Sequence, residues 1–167
     1  MLLYNKALDP NHTLLRVVSI LIKLKITEIE RDRIRIFDFL VANPAYIVKI
    51  SISKNLLKEK NKFKGYENRY QNYNPINLFE SMSSIHDSVI FTLVAMGVLT
   101  ELQDNDRYNF NLDNLPSDIK KIALDIENSI SDQAINFICN YLQEIKLTGD
   151  KGLKCISKLM EYKYDAF

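Results

Sequence analysis

Leu14, Leu15, Val18, Leu21 and Ile22 recur every three or four residues, the spacing that lines one face of an α-helix. Asp9-Pro10-Asn11 supplies the turn that starts this helix, and only Arg16 and Lys23 break its flank. The pattern predicts a strongly apolar, central helix. A second helix is expected after almost no loop. Ile34, Phe37 and Val41, flanked by Ile36 and Leu40, repeat at helical spacing between Thr27 and Asn43. Thr27 and Glu30 have the spacing of a capping box, and Pro44 ends the segment, because the residue before a proline avoids the helical region. Opposite charges meet at i,i+3: Glu28 with Arg31, Glu30 with Arg33, Asp32 with Arg35. Such pairs add only about 0.2–0.5 kcal/mol each. They support the helix without explaining its charge density.

After Pro44, Ala45-Tyr46-Ile47-Val48-Lys49-Ile50 predicts a short helix reaching Leu57. The next stretch changes character. Lys54, Lys58, Lys60, Lys62, Lys64 and Arg69 stand against Glu59 and Glu67, a local net charge of +4, with Tyr66, Tyr70 and Tyr73 interleaved. Gly65 and several Asn disfavour a long element, so residues 58–74 read as an exposed connector. Asn74-Pro75 then opens a helix with Asn as cap and Pro at its first position. Leu78, Met82, Ile85, Val89, Leu93 and Met96 give it a buried face running to Gly97, which is placed for a left-handed cap.

Two short strands follow, residues 98–102 and 107–112. Tyr108, Phe110 and Leu112 alternate with Arg107, Asn109 and Asn111, and the Asp- and Asn-rich residues 103–106 suit a hairpin loop. Beyond Pro116 and its cap Ser117 the chain reads helical. Ile119, Ile122, Ile126 and Ile130 form one stripe, and Ile135, Ile138, Leu142 and Ile145 another, with Ser131 as a new cap. Thr148-Gly149-Asp150 interrupts, and Leu153, Ile156, Leu159 and Met160 mark a terminal helix. The expected fold is mainly α: a winged-helix-like domain with one β-hairpin over residues 1–115, and a C-terminal helical extension, residues 116–167, packed on it.

The chain has 167 residues, 47% hydrophobic and 26% charged, ordinary for a soluble globular protein. A net charge of +1 gives no strong global field, so nucleic-acid contact would have to come from a local patch. Cys139 and Cys155 sit in apolar-periodic segments and read as buried reduced thiols. The N-terminus lacks a signal-type apolar core, and the longest uncharged run, residues 88–100, is shorter than the roughly 20 residues a membrane span needs. A cytoplasmic location is expected.

Candidate chemistry is sparse. His12 lies at a helix start, and His86 lies on a helix with no second histidine or cysteine nearby; both read as surface or capping residues, with no metal site. The four glycines are scattered, so no phosphate loop forms. Turn propensity explains Glu101, Asp104, Asp106 and Asp113. Ser81, Ser83 and Ser84 have no recognisable base. The chain reads as a non-enzyme without a cofactor.

Winged helices often bind DNA, and a reading helix needs Arg, Lys, Asn or Gln against bases and phosphates. The helix before the hairpin, residues 77–96, has no Lys or Arg and carries Glu80 and Asp87, and the hairpin tip sets Arg107 against Asp104 and Asp106. A phosphate backbone repels such a surface. Lys58, Lys60, Lys62, Lys64 and Arg69 are the remaining candidates for DNA-backbone contact, sequence-independent and salt-sensitive; a solvated charged loop explains them more simply.

Tyr4-Asn5-Lys6-Ala7-Leu8-Asp9-Pro10, the Leu-rich helix after it, and Glu28-Ile29-Glu30-Arg31-Asp32-Arg33-Ile34-Arg35-Ile36-Phe37-Asp38-Phe39 with its Pro44 stop resemble the middle component of bacterial ABC-three-component systems. That family is similar to the small subunit of Lamassu-type anti-phage systems. The resemblance covers mainly residues 4–44, with the Gly97-Val98-Leu99 hairpin entry as weaker support. It implies a non-enzymatic adaptor that assembles with an ABC or SMC-like ATPase and a separate, often nuclease-like effector, defends against phage or plasmid DNA, and meets double-stranded DNA through that complex. No catalytic motif transfers. Arg31, Arg33, Arg35, Asp38 and Phe39 become candidate partner-binding residues, although Asp38 and Phe39 could equally lock the helix into the domain. The exposed side of the hairpin is a second candidate contact surface. The competing reading is a winged-helix transcription regulator.

Overall fold

The computed structural model describes residues 4–66, 73–104, 106–125 and 129–160. Helix α1 (Pro10–Lys23) starts where the sequence predicts, with the Asp9 carboxylate accepting from the backbone N–H groups of Asn11 and His12. Val17, Val18, Ile20 and Leu21 are all buried, a wider face than the apolar repeat alone implies. The reason is position: α1 packs against four other helices.

Helix α2 (Arg31–Ala42) stops at Asn43 as expected but begins later than Thr27. The capping box does not form. Glu28–Glu30 is instead strand β1, with Ile29 buried between its two glutamates. Glu-Ile-Glu satisfies the two-residue period of a strand, and β1 pairs antiparallel with β3 (Arg107–Phe110), Ile29 opposite Tyr108. Strand β2 (Leu99–Glu101) pairs with the other edge of β3, giving the order β1-β3-β2. The predicted hairpin therefore gains a third strand from the segment between α1 and α2. Of the expected i,i+3 pairs, Glu30–Arg33 and Asp32–Arg35 form; Glu28 pairs with Arg107 across the sheet instead of with Arg31.

The stretch from Lys54 is less of a free connector than its composition suggests. Leu57–Asn61 is helix α3, and Lys62–Tyr66 is a 3-10 turn. Phe63 fixes it, buried edge-on against Phe137 at 5.5 Å between ring centres. Residues 67–72, Arg69 among them, lie outside the described residues.

The long helix expected after Asn74 is two helices, α4 (Pro75–Ser81) and α5 (Ser83–Ala95), joined at the buried Met82. Asn74 caps α4 as predicted, accepting from the N–H groups of Ile76 and Asn77. Gly97 has φ +73° and turns the chain from α5 into β2.

The C-terminal part comprises α6 (Ser117–Leu124), α7 (Ser129–Phe137), which runs into a π-helical turn (Ile138–Leu142), and α8 (Leu153–Ser157). Ser131, expected as a cap, falls inside α7; Ile126 lies outside the described residues. α6 packs on α1, and α7 on α1 and α2. The protein is mainly helical with one small antiparallel sheet, and its hydrophobic core holds buried residues from Ala7 to Leu159. Among the described residues, no helix is long and apolar enough to cross a membrane.

Candidate interaction surfaces

Most of the charge on α2 is used inside the fold. Arg33 is buried, pairs with Glu30 at 2.6 Å and donates to the backbone carbonyls of Leu142, Gln143 and Ile145 at 3.4, 3.1 and 2.7 Å. Those carbonyls lie at and just past the end of the π-helical turn; Leu142 also accepts from the Ile145 N–H at 3.2 Å, and Arg33 caps the end of the turn from a distance. Arg35 pairs with Asp32 and lies over the Phe79 ring at 4.7 Å. Lys154, on α8, adds a 3.0 Å bridge to the same Asp32. Phe39 is fully buried between Tyr46 and Phe79, edge-on to both. Arg33, Asp38 and Phe39 thus present no surface of this chain to a partner. Arg31 is the exception. Partly exposed, it pairs with Asp87 of α5 and lies 3.9 Å from Asp106 at the hairpin tip, while its backbone N–H bonds the Asp106 carbonyl at 2.7 Å. One residue ties α2, α5 and the hairpin together.

Beneath this surface lies a buried polar triad that the sequence does not reveal. Asp38 receives Arg16 Nε at 2.7 Å and Nη2 at 3.1 Å, and contacts His86 Nε2 at 2.7 Å. Arg16 also donates to Thr13 Oγ1 and the Lys6 carbonyl. Burial alone would raise the Asp38 carboxyl; Arg16 and His86 outweigh it and hold the group below its ordinary value. His86 is therefore a core residue, not a surface one; its Nδ1 has no hydrogen-bond partner among the described residues. His12 stays at the start of α1, partly exposed, its ring 6.2 Å from that of Tyr4. The cysteines are free: Cys139 is buried, with a thiol pushed up by burial, and Cys155 is only half-buried. Among the described residues no group of His, Cys, Asp and Glu is arranged to hold a metal ion.

The basic segment divides. Lys60 donates to the Ile50 carbonyl at 2.7 Å and Lys62 pairs with Glu59 at 2.6 Å, while Lys58 and Lys64 are exposed. A half-open cavity of about 510 Å³ lies beside it, where Glu59, Lys62 and Phe63 face Gln133, Asn136 and Asn140.

The outer face of α5 carries Asp87, read from the sequence as repelling phosphate, and an aromatic side chain that the apolar repeat leaves out. Ser84, Asp87, Ser88 and Phe91 are exposed along it, and Phe91 is 75% exposed. The signal was present: Phe91 falls off the Ile85-Val89-Leu93 stripe, on the opposite side of the helix.

No curated protein and no solved structure matches the chain. A family model does, over residues 2–165, far beyond the 4–44 stretch that carried the resemblance: it is described as "ABC-three component (ABC-3C) system Middle Component 5". A middle component is one subunit of a multi-component system, so partner subunits are implied. The chain belongs to the Middle Component 5 family of ABC-three component systems.

Proposed function

We propose that this protein is a non-catalytic accessory subunit of a bacterial anti-phage or anti-plasmid defence complex, bridging an SMC- or ABC-type ATPase and a nuclease-like effector in the cytoplasm. The family match over nearly the whole chain is the observation that carries this reading. We further read residues 1–115 as a winged-helix-like domain and 116–167 as a helical extension packed on it. The order α1-β1-α2, then α5-β2-β3, with β1 joining the outer edge of the hairpin, supports that architecture. In that arrangement α5 occupies the place of a DNA-reading helix. It carries Asp87 and no Lys or Arg, which favours protein contact over the regulator reading. Non-specific DNA contact, if the complex makes it, falls to Lys58 and Lys64, which are exposed, and to Arg69.

Co-expression with the other components of its system tests the reading. A stoichiometric complex on size-exclusion chromatography, and loss of protection against phage or plasmid when this chain is deleted, are expected. A free monomer whose deletion leaves protection intact would refute it.

A further inference from the structure

Phe91, Val94 and Ala95 occupy one turn of the exposed side of α5, with Phe91 75% and Val94 40% exposed. Phe91 is the most exposed of the large hydrophobic side chains among the described residues, and aromatic anchors concentrate binding energy at interfaces. The segment that carries it is acidic. Between Tyr70 and Asp106 the chain has five carboxylates, Glu80, Asp87, Glu101, Asp104 and Asp106, and no Lys or Arg. Arg31 is engaged with Asp87 and Asp106, and Arg107 with Glu28 and Asp104. The same contacts hold α5 and the hairpin as one surface.

This combination discriminates among occupants. Nucleic acid would bring phosphates against carboxylates. A second copy in a two-fold dimer would present the identical patch, acid against acid. A different protein with an apolar socket ringed by Lys or Arg complements both parts of the surface. We propose that the α5 face docks such a basic-rimmed subunit of the same system, with Phe91 as the anchor; this rests on the accessory-subunit reading above.

The test uses the full chain co-expressed with the other components of its system. Phe91→Ala should fold as the wild type, because its side chain faces solvent, and should weaken subunit affinity by about 30-fold or more. Glu101→Lys should slow association and flatten its dependence on salt. Ile122→Ala, removing an apolar side chain 52% exposed on α6, should bind as wild type. A wild-type complex that survives Phe91→Ala overturns the proposal, as does dimerisation of the isolated chain or duplex DNA binding through Phe91. So does loss of the complex through Ile122 with Phe91 neutral. If the wild type forms no complex at all, the accessory-subunit reading itself fails, and this one with it.

Discussion

Asp38 joins three helices through one carboxylate: its own α2, α1 through Arg16, and α5 through His86. Removing one member of a buried charged set leaves the others desolvated and unpaired, which costs about 3–5 kcal/mol. Asp38→Ala should lose stability of that order in urea unfolding. The pH dependence follows from the lowered Asp38 value. A carboxyl with a folded-state pKa below its unfolded one stabilises fully above the unfolded value, ordinarily 3.8, and loses that contribution as pH falls through that value towards the folded one. The wild type should therefore lose stability below about pH 4, and Asp38→Asn should flatten that acid limb. Arg33 makes a second residue-level prediction. Its planar fork reaches three carbonyls and a carboxylate, which a lysine cannot reproduce. Arg33→Lys should raise amide hydrogen exchange in residues 138–145 while leaving the hairpin protected. Apart from the Glu30–Arg33 pair, these contacts were not readable from spacing. Arg16 reads as a break in an apolar flank and His86 as a lone histidine, because their partner lies 22 and 48 positions away.

Elements governed by local rules were legible. The helix start at Asp9-Pro10-Asn11, the Asn74 cap, the Pro44 stop, the hairpin strands and the left-handed Gly97 each follow from a few neighbouring residues. Gly97→Ala tests the last of them. It forces a Cβ into a positive-φ site, 3.3 Å from Asn114 Nδ2, at a cost of about 1–2 kcal/mol. A drop in melting temperature with the fold retained is the expected result. Elements set by distant partners were not legible. Thr27 to Glu30 carries both a capping-box spacing and a strand alternation, and β3, far along the chain, decides between them. The Lys-rich segment reads as a connector until Phe137 supplies a partner for Phe63. The helix after Asn74 keeps its apolar rhythm straight through Met82, so its division into α4 and α5 leaves no mark on the pattern.

For the whole molecule, the arginine-rich helix is mainly internal scaffolding, while Phe91 on α5 and, separately, Lys58 and Lys64 are exposed. Any duplex DNA held by the assembled complex through those lysines should dissociate steeply with salt and lack sequence preference. Lys58→Glu with Lys64→Glu should weaken it in a mobility-shift assay without disturbing subunit assembly. The central claim, an accessory subunit whose work is assembly, is tested most directly by native mass spectrometry of the three co-expressed components. A single complex containing this chain in fixed stoichiometry is predicted. A complex of the other components that forms equally well without it, with this chain recovered alone, would contradict the claim.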